Sequence, residues 1–169
     1  EKVEEIRAAF FSGRCDVYTT DASGLYATRA ANVPPPAKPD DFIILPGTKN
    51  TVDDLAWLWR TGLAAWITSQ HDAGATVIGI CGGFQMLGHR VLDPLAVESS
   101  HESAQGLALL PVETVITTEK QTEAVGATTP GGVRFGAYAI HAGRTVTIGT
   151  DVLNRFATLD DGSADRMPA

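Results

Sequence analysis

Only two cysteines, Cys15 and Cys81, occur in 169 residues, so no disulfide framework can hold this chain together. Two isolated thiols fit a reducing, cytoplasmic setting, where a cysteine is either a small buried hydrophobe or a reactive group. No run approaches the ~18 uninterrupted apolar residues of a membrane span, and no secretory signal opens the chain, so no membrane association is expected. Positive charge is also short. Thirteen Lys and Arg stand against 20 Asp and Glu, giving a net charge of −7 and no basic stripe for nucleic acid. Histidine is limited to His71, His89, His101 and His141, and no spacing among them matches a metal-ligand pattern. The phosphate-cradling G-x-x-x-x-G-K-[ST] loop is missing, so ATP binding is not expected of these residues. What remains, 44% apolar and 20% charged, is ordinary for one globular domain with a substantial core.

The first forty residues carry little signal. Val3, Ile6, Ala9 and Phe10 suit a short amphipathic helix, and Asp16–Thr20 could be a strand. Residues 21–40, ending in Pro34-Pro35-Pro36-Ala37-Lys38-Pro39, read as a linker. Residues 1–40 are therefore expected to stand apart from a main domain over 41–169. The absence of an initiator methionine suggests a piece of something longer.

Phe42–Leu45 is a continuous apolar run that fits a parallel strand covered on both faces. Pro46-Gly47-Thr48 turns the chain, and Asn50 or Thr51 can cap a helix whose first turn holds Asp53 and Asp54. Leu55, Leu58, Trp59, Leu63, Trp66 and Ile67 recur at helical spacing but slip phase at Thr61-Gly62. That predicts two short helices, or one bent helix, ending near Gly74. The three tryptophans read as packing residues, with Trp59 and Trp66 on the core stripe. Thr76–Ile80 is a second buried strand, which completes a βαβ unit with a right-handed crossover. Beyond Gly88 the Val, Thr and Ile content of 107–118 and 133–148 predicts antiparallel strands, with loops over 119–132.

The stretch that organises the chain is Gly79-Ile80-Cys81-Gly82-Gly83-Phe84-Gln85-Met86-Leu87-Gly88. Gly79-x-Cys81-x-Gly83 is the cysteine analogue of the G-x-S-x-G nucleophile elbow. A nucleophile at a tight strand-to-helix turn takes strained backbone angles, and flanking glycines let strand and helix approach without Cβ clashes. The thiol then sits at the positive end of a helix, and the Gly82 N–H can stabilise an oxyanion. A second donor is expected from the Gly47-Thr48 backbone. In a parallel sheet ligands gather beyond the carboxyl ends of the strands, so the Gly47 and Cys81 loops should open on one edge. Of the histidines, His71 is read as serving the end of a helix, His89 as a C-terminal cap and His101 as a member of a solvated loop.

The Gly79–Gly88 run resembles the nucleophile segment of class I, triad-type glutamine amidotransferase domains. Asp41-Phe42-Ile43-Ile44-Leu45-Pro46-Gly47-Thr48-Lys49-Asn50-Thr51, Gly106–Thr114 and Tyr138-Ala139-Ile140-His141-Ala142-Gly143-Arg144-Thr145 narrow the likeness to the glutaminase domain of cobyric acid synthases. The resemblance covers about residues 41–145. It implies an α/β, flavodoxin-like three-layer sandwich with a mostly parallel central sheet and additional antiparallel strands. It also implies Cys81 as the nucleophile, with Gly47, Thr48, Gly82 and Gln85 around the glutamine and His141 as a secondary candidate. Glutamine would be the substrate, and a synthetase domain of the same parent chain would be the partner and would supply the corrin substrate. ATP and Mg²⁺ would belong to that synthetase domain and not to this one. The chain departs from the family's pattern at Ala137 and Ala139, where Gly and Glu are usual. The family's Gly-Thr-Tyr-x-His-Gly segment, which carries its general base, has no counterpart within the 169 residues. Residues 1–169 alone are therefore expected to hydrolyse glutamine poorly. The alternatives are a glutaminase for cell-wall lipid precursors, a γ-glutamyl hydrolase, or a domain that binds without hydrolysing.

Overall fold

The computed structural model describes residues 42–149 and 157–160, and the expectations for residues 1–40 lie outside that range. It shows an α/β fold that mixes parallel and antiparallel strands, as the sequence predicts. Strand β1 (Phe42–Leu45) leads into helix α1 (Thr51–Thr61) and helix α2 (Leu63–Asp72), followed by β2 (Thr76–Gly79) and the short helix α3 (Gly82–Met86). Then come β3 (Arg90–Leu92), β4 (Ser103–Gln105), β5 (Val112–Thr128), β6 (Arg134–Thr147) and β7 (Thr158–Leu159). Among the described residues no helix is long and apolar enough to cross a membrane.

The βαβ unit forms as expected. β1 and β2 pair in parallel, with Phe42 opposite Thr76 and Leu45 opposite Gly79. The phase slip at Thr61-Gly62 is a helix break: Gly62 takes a left-handed φ of 82° and its N–H donates to the Trp59 carbonyl. Asn50 caps α1, its Oδ1 accepting from the Asp53 N–H at 3.3 Å while its Nδ2 donates to the Asp53 carboxylate at 2.7 Å. The apolar stripe of α1 and α2 then buries Val52, Leu55, Leu58, Ala64 and Ile67 against Leu45, Met86, Leu87, Val91 and Ile116. At roughly 1.5–3 kcal/mol for each large aliphatic side chain, this cluster is the main force holding the helices on the strands.

Trp59 departs from the expected packing. It lies on the exposed side of α1, and its Nε1–H donates to the Gln105 carbonyl at 2.7 Å, tying the helix to β4. Trp57 and Trp66 do pack against the core.

The second half is a five-stranded sheet in the order β4-β3-β5-β6, with β7 added to the far end of β5. β3 runs parallel to β5, while β3–β4, β5–β6 and β5–β7 are antiparallel. The expected loop over 119–132 is largely strand: β5 continues to Thr128 and the turn is confined to 129–133. Thr and Val keep the pairing going through a polar stretch that reads as loop by composition. The ribbon carries one large irregularity. Val115 faces Arg144 and Lys120 faces Ala142, so residues 116–119 stand opposite Gly143 alone. Gly143 has φ +112°, and a Cβ there would lie 2.8 Å from the Val115 carbonyl oxygen, so the bulge requires glycine.

Candidate active site

The register of β1 on β2 brings Pro46-Gly47-Thr48 and Ile80-Cys81-Gly82 out at the same edge of the sheet. The two loops touch. A Cβ placed on Gly47 would lie 3.3 Å from the Cys81 Cβ and 3.9 Å from its Sγ. Cys81 is exposed and has φ 53° and ψ −116°, the strained conformation expected of a nucleophile elbow. The surrounding glycines serve contact. A Cβ on Gly79 would lie 2.6 Å from the Gly83 oxygen, and one on Gly83 would lie 2.0 Å from the Leu45 oxygen. Gly82 faces Thr48, with 2.8 Å from its would-be Cβ to Thr48 Cγ2 and 3.2 Å to the Thr48 nitrogen. Thus Gly47, Thr48, Cys81 and Gly82 form one cluster.

Because α3 spans only five residues, its positive end is a few local N–H groups and not the dipole of a long helix. Gly82 opens α3, so its N–H has no carbonyl within the helix to bond. The 46–51 loop is itself pinned. Thr48 Oγ1 donates to the Asp54 carboxylate in a short hydrogen bond and accepts the Asn50 N–H at 3.1 Å.

Gln85, one turn after Cys81, is buried. Its Oε1 accepts from Thr51 Oγ1 at 3.2 Å and its Nε2 donates to the Ala142 carbonyl at 3.2 Å. The side chain therefore spans from the start of α1 to the bulge in β6. His141 lies in β6 opposite Gln121, next in sequence to the residue whose carbonyl Gln85 holds. The β6 backbone at this point is thus part of the wall behind α3. His71 ends α2 as expected, 3.4 Å from the Asp72 carboxylate. His89 lies between α3 and β3, and its N–H donates to the Val112 carbonyl at 2.7 Å.

Two features of the site region escape a reading of the sequence. Asp93, fully buried, accepts backbone N–H groups from Val97, Glu98 and Ser99 at 2.8–2.9 Å, closing a tight turn. Burial alone would raise its pKa, but the three hydrogen bonds outweigh that and hold the carboxyl below its ordinary 3.8. The turn delivers Glu98 to the start of α1, where its Oε2 accepts from the Thr51 N–H at 3.4 Å and Thr51 Oγ1 at 3.3 Å. Desolvation raises the Glu98 pKa above 4.5, opposed by the two Thr51 hydrogen bonds and assisted by the Asp93 charge.

Next along, Ser99 Oγ donates to Asp53 and His101 Nδ1 lies 2.7 Å from the same oxygen, so the loop expected to be merely solvated is anchored to α1. The Ser99 hydrogen bond is the largest influence holding the Asp53 carboxyl below its usual range. The Asp93-Pro94 dipeptide was the available signal for the turn. Which helix the turn would meet depends on the fold.

The turn can be tested by stability. Asp93→Asn turns an amide NH₂ toward at least one backbone donor, and should cost about 1–3 kcal/mol at neutral pH, read as a lower urea midpoint at unchanged m. The sign with pH follows from a folded pKa below 3.8. The stability that the carboxylate provides is complete above 3.8 and is lost as pH falls through the folded value. The difference between wild type and variant should therefore shrink in that acid range and stay constant from pH 5 upward. Unfolding curves at several pH values check both statements.

Comparison with known proteins places the chain. Residues 9–165 match the family model of the CobB/CobQ-like glutamine amidotransferase domain, a match that also takes in most of residues 1–40. The chain belongs to that family. A cobyric acid synthase of Alkaliphilus metalliredigens is 47% identical over 116 residues, covering 63% of this chain and 23% of that protein. The cobyric acid synthase of Photorhabdus laumondii is 50% identical over 97 residues, 57% of this chain and 19% of that protein. That of Methylorubrum populi is 41% identical over 136 residues, 80% of this chain and 27% of that protein. The chain thus spans only about a quarter of the length of the curated relatives it matches. A crystal structure of a glutamine amidotransferase superposes at a TM-score of 0.49 and 16% identity over 72% of this chain and 62% of that one, too slight a likeness to carry an argument.

Proposed function

We propose that this amidotransferase domain hydrolyses glutamine at Cys81 and passes the ammonia to an ATP-dependent amidation of corrin carboxylates. The observation that carries the reading is the contact of the Gly47 loop with the Cys81 elbow at one sheet edge. The Cys81 thiolate attacks the side-chain amide carbon of glutamine, and the oxyanion is met by the N–H of Gly82 and by the Gly47-Thr48 backbone. Collapse breaks the C–N bond; the nitrogen takes up a proton and leaves as ammonia, with a γ-glutamyl thioester remaining. Water then cleaves the thioester, giving glutamate and the thiol. Glutamine and one water become glutamate and ammonia, with no redox change.

Gln85 would help hold the glutamine from one turn after Cys81, and His141 is the secondary candidate for proton transfer. ATP and Mg²⁺ would be bound by a synthetase domain, which also would bind the corrin; the setting is the cytoplasm. Residues 1–169 expressed alone should turn glutamine over poorly, since general acid–base transfer typically contributes ~10²–10⁴ in rate and the family's Gly-Thr-Tyr-x-His-Gly segment is not among these residues.

The test is covalent. A glutamine-analogue diazoketone applied to the full-length protein should label Cys81, as mapped by peptide mass spectrometry. Labelling elsewhere, or none, overturns the reading. Amidation of a cell-wall lipid precursor without corrin turnover would keep the glutaminase and replace the acceptor.

A further inference from the structure

The Thr51 hydroxyl stands between two acceptors. Its single hydrogen faces Gln85 Oε1 at 3.2 Å and Glu98 Oε2 at 3.3 Å, and the same Glu98 oxygen accepts the Thr51 N–H at 3.4 Å. Gln85 cannot simply turn its amide over. Its Nε2 is committed to the Ala142 carbonyl, and the reversed amide would set two oxygens against each other there. The orientation of Gln85 therefore depends on how Thr51 is held, and Glu98 holds Thr51 by its N–H while sharing its one hydroxyl hydrogen with Gln85. Glu98 is in turn presented rigidly, because its own N–H is bound by the buried Asp93 carboxylate. A carboxylate kept partly out of water, with desolvation working against its charge, is an uneconomical way to cap a helix that Asn50 already caps.

We propose that Glu98 is a positioning residue for the glutamine site: through Thr51 it fixes the Gln85 side chain on the helix that carries Cys81. The inference rests on the glutaminase reading above and extends it to a residue on the β3–β4 connection, one strand beyond α3 in the chain. Glu98 does not touch the reacting atoms. Its effect is felt as recognition of glutamine, not as reactivity of the thiol.

The experiment compares Glu98→Ala, Glu98→Gln and Thr51→Val with wild type in the full-length protein, using two alkylating probes. The first is the glutamine-analogue diazoketone, which must be recognised; the second is iodoacetamide, which need only reach Cys81. Glu98→Ala and Thr51→Val should label about tenfold more slowly with the diazoketone, the equivalent of one lost hydrogen bond of about 1.4 kcal/mol, at an unchanged iodoacetamide rate. Glu98→Gln, which keeps an acceptor oxygen for Thr51, should recover most of the diazoketone rate. In turnover the same variants should raise the KM for glutamine more than they lower kcat, and leave ammonia-driven turnover as it was.

A diazoketone rate within twofold of wild type in both Glu98→Ala and Thr51→Val overturns the inference while leaving the glutaminase reading intact. So does an equal fall with both probes, which marks a general loss of fold. Should Glu98→Ala fail to fold, Glu98→Gln and Thr51→Val decide between them: parity of Thr51→Val with wild type rejects the proposal. Wild type that does not label at Cys81 rejects both readings together.

Discussion

Replacing Cys81 by alanine in the full-length protein should lower glutamine-driven turnover by roughly 10⁴-fold or more and leave ammonia-driven turnover within about twofold of wild type. The two halves of that expectation have separate causes. In the proposed mechanism no thioester can form without the sulfur, and the proposed oxyanion donors have no tetrahedral intermediate to stabilise. Supplied ammonia bypasses this chemistry altogether. The substitution is a clean one structurally: alanine keeps the Cβ that faces Gly47, and the strained φ of 53° is no harder for alanine than for cysteine. A matched loss of both activities would mean that Cys81 supports the fold and is not the nucleophile. His141→Ala should cost less than Cys81→Ala in the same assay, as befits the second candidate.

The parts of this site that the sequence displays are those governed by local backbone chemistry. A short apolar strand, a cysteine between glycines and a helix-competent run can be arranged in few ways, and the elbow at Cys81 follows from steric limits acting within five residues. The facing Gly47 loop is legible for a related reason, since the parallel strands of a βαβ unit send both following loops to one edge. Asn50 as a cap and Gly62 as a break are equally local.

What could not be read depends on long-range placement. Gln85 reads as a solvated residue of a helix or as a ligand to substrate; that it is buried, with its amide bonded to Thr51 and Ala142, 34 and 57 residues away in the chain, is not legible. Glu98 and His101 sit in a polar run that looks solvated, and only the fold sets that run on the first turn of α1. Trp59 obeys the helical period but falls on the side of α1 that β4 only partly covers. The polar stretch 119–128 shows no alternation of a kind that marks a half-buried strand, and Thr122, Glu123 and Ala124 within it are exposed.

The second large effect is expected at Gly83. In a helix interior, alanine in place of glycine ordinarily gains about 0.5–1 kcal/mol. Here the new Cβ would lie 2.0 Å from the Leu45 carbonyl oxygen, 2.6 Å from the Leu45 carbonyl carbon and 2.8 Å from the Pro46 oxygen. All three are backbone atoms, so no rotamer change relieves the clash. The Leu45 oxygen also accepts the Ile80 N–H at 2.9 Å, and moving it away from α3 pulls on the bond that leads into Cys81. Overpacking costs ~1–3 kcal/mol where side chains can yield, and more where they cannot, so the clash outweighs the helical gain. A net loss of about 3 kcal/mol or more should lower Tm by roughly 6–12 °C in a domain of this size. Gly82→Ala meets a softer neighbour, Thr48 Cγ2 at 2.8 Å, and should cost less stability while still pushing the 46–48 loop away from Cys81. Gly131→Ala, with only Thr129 Oγ1 at 3.9 Å nearby, is the control and should change stability by no more than about 0.5 kcal/mol. Thermal unfolding of the three variants orders them directly. A Gly83→Ala protein as stable as the Gly131→Ala control would show that β1 and α3 do not meet as closely as the elbow requires.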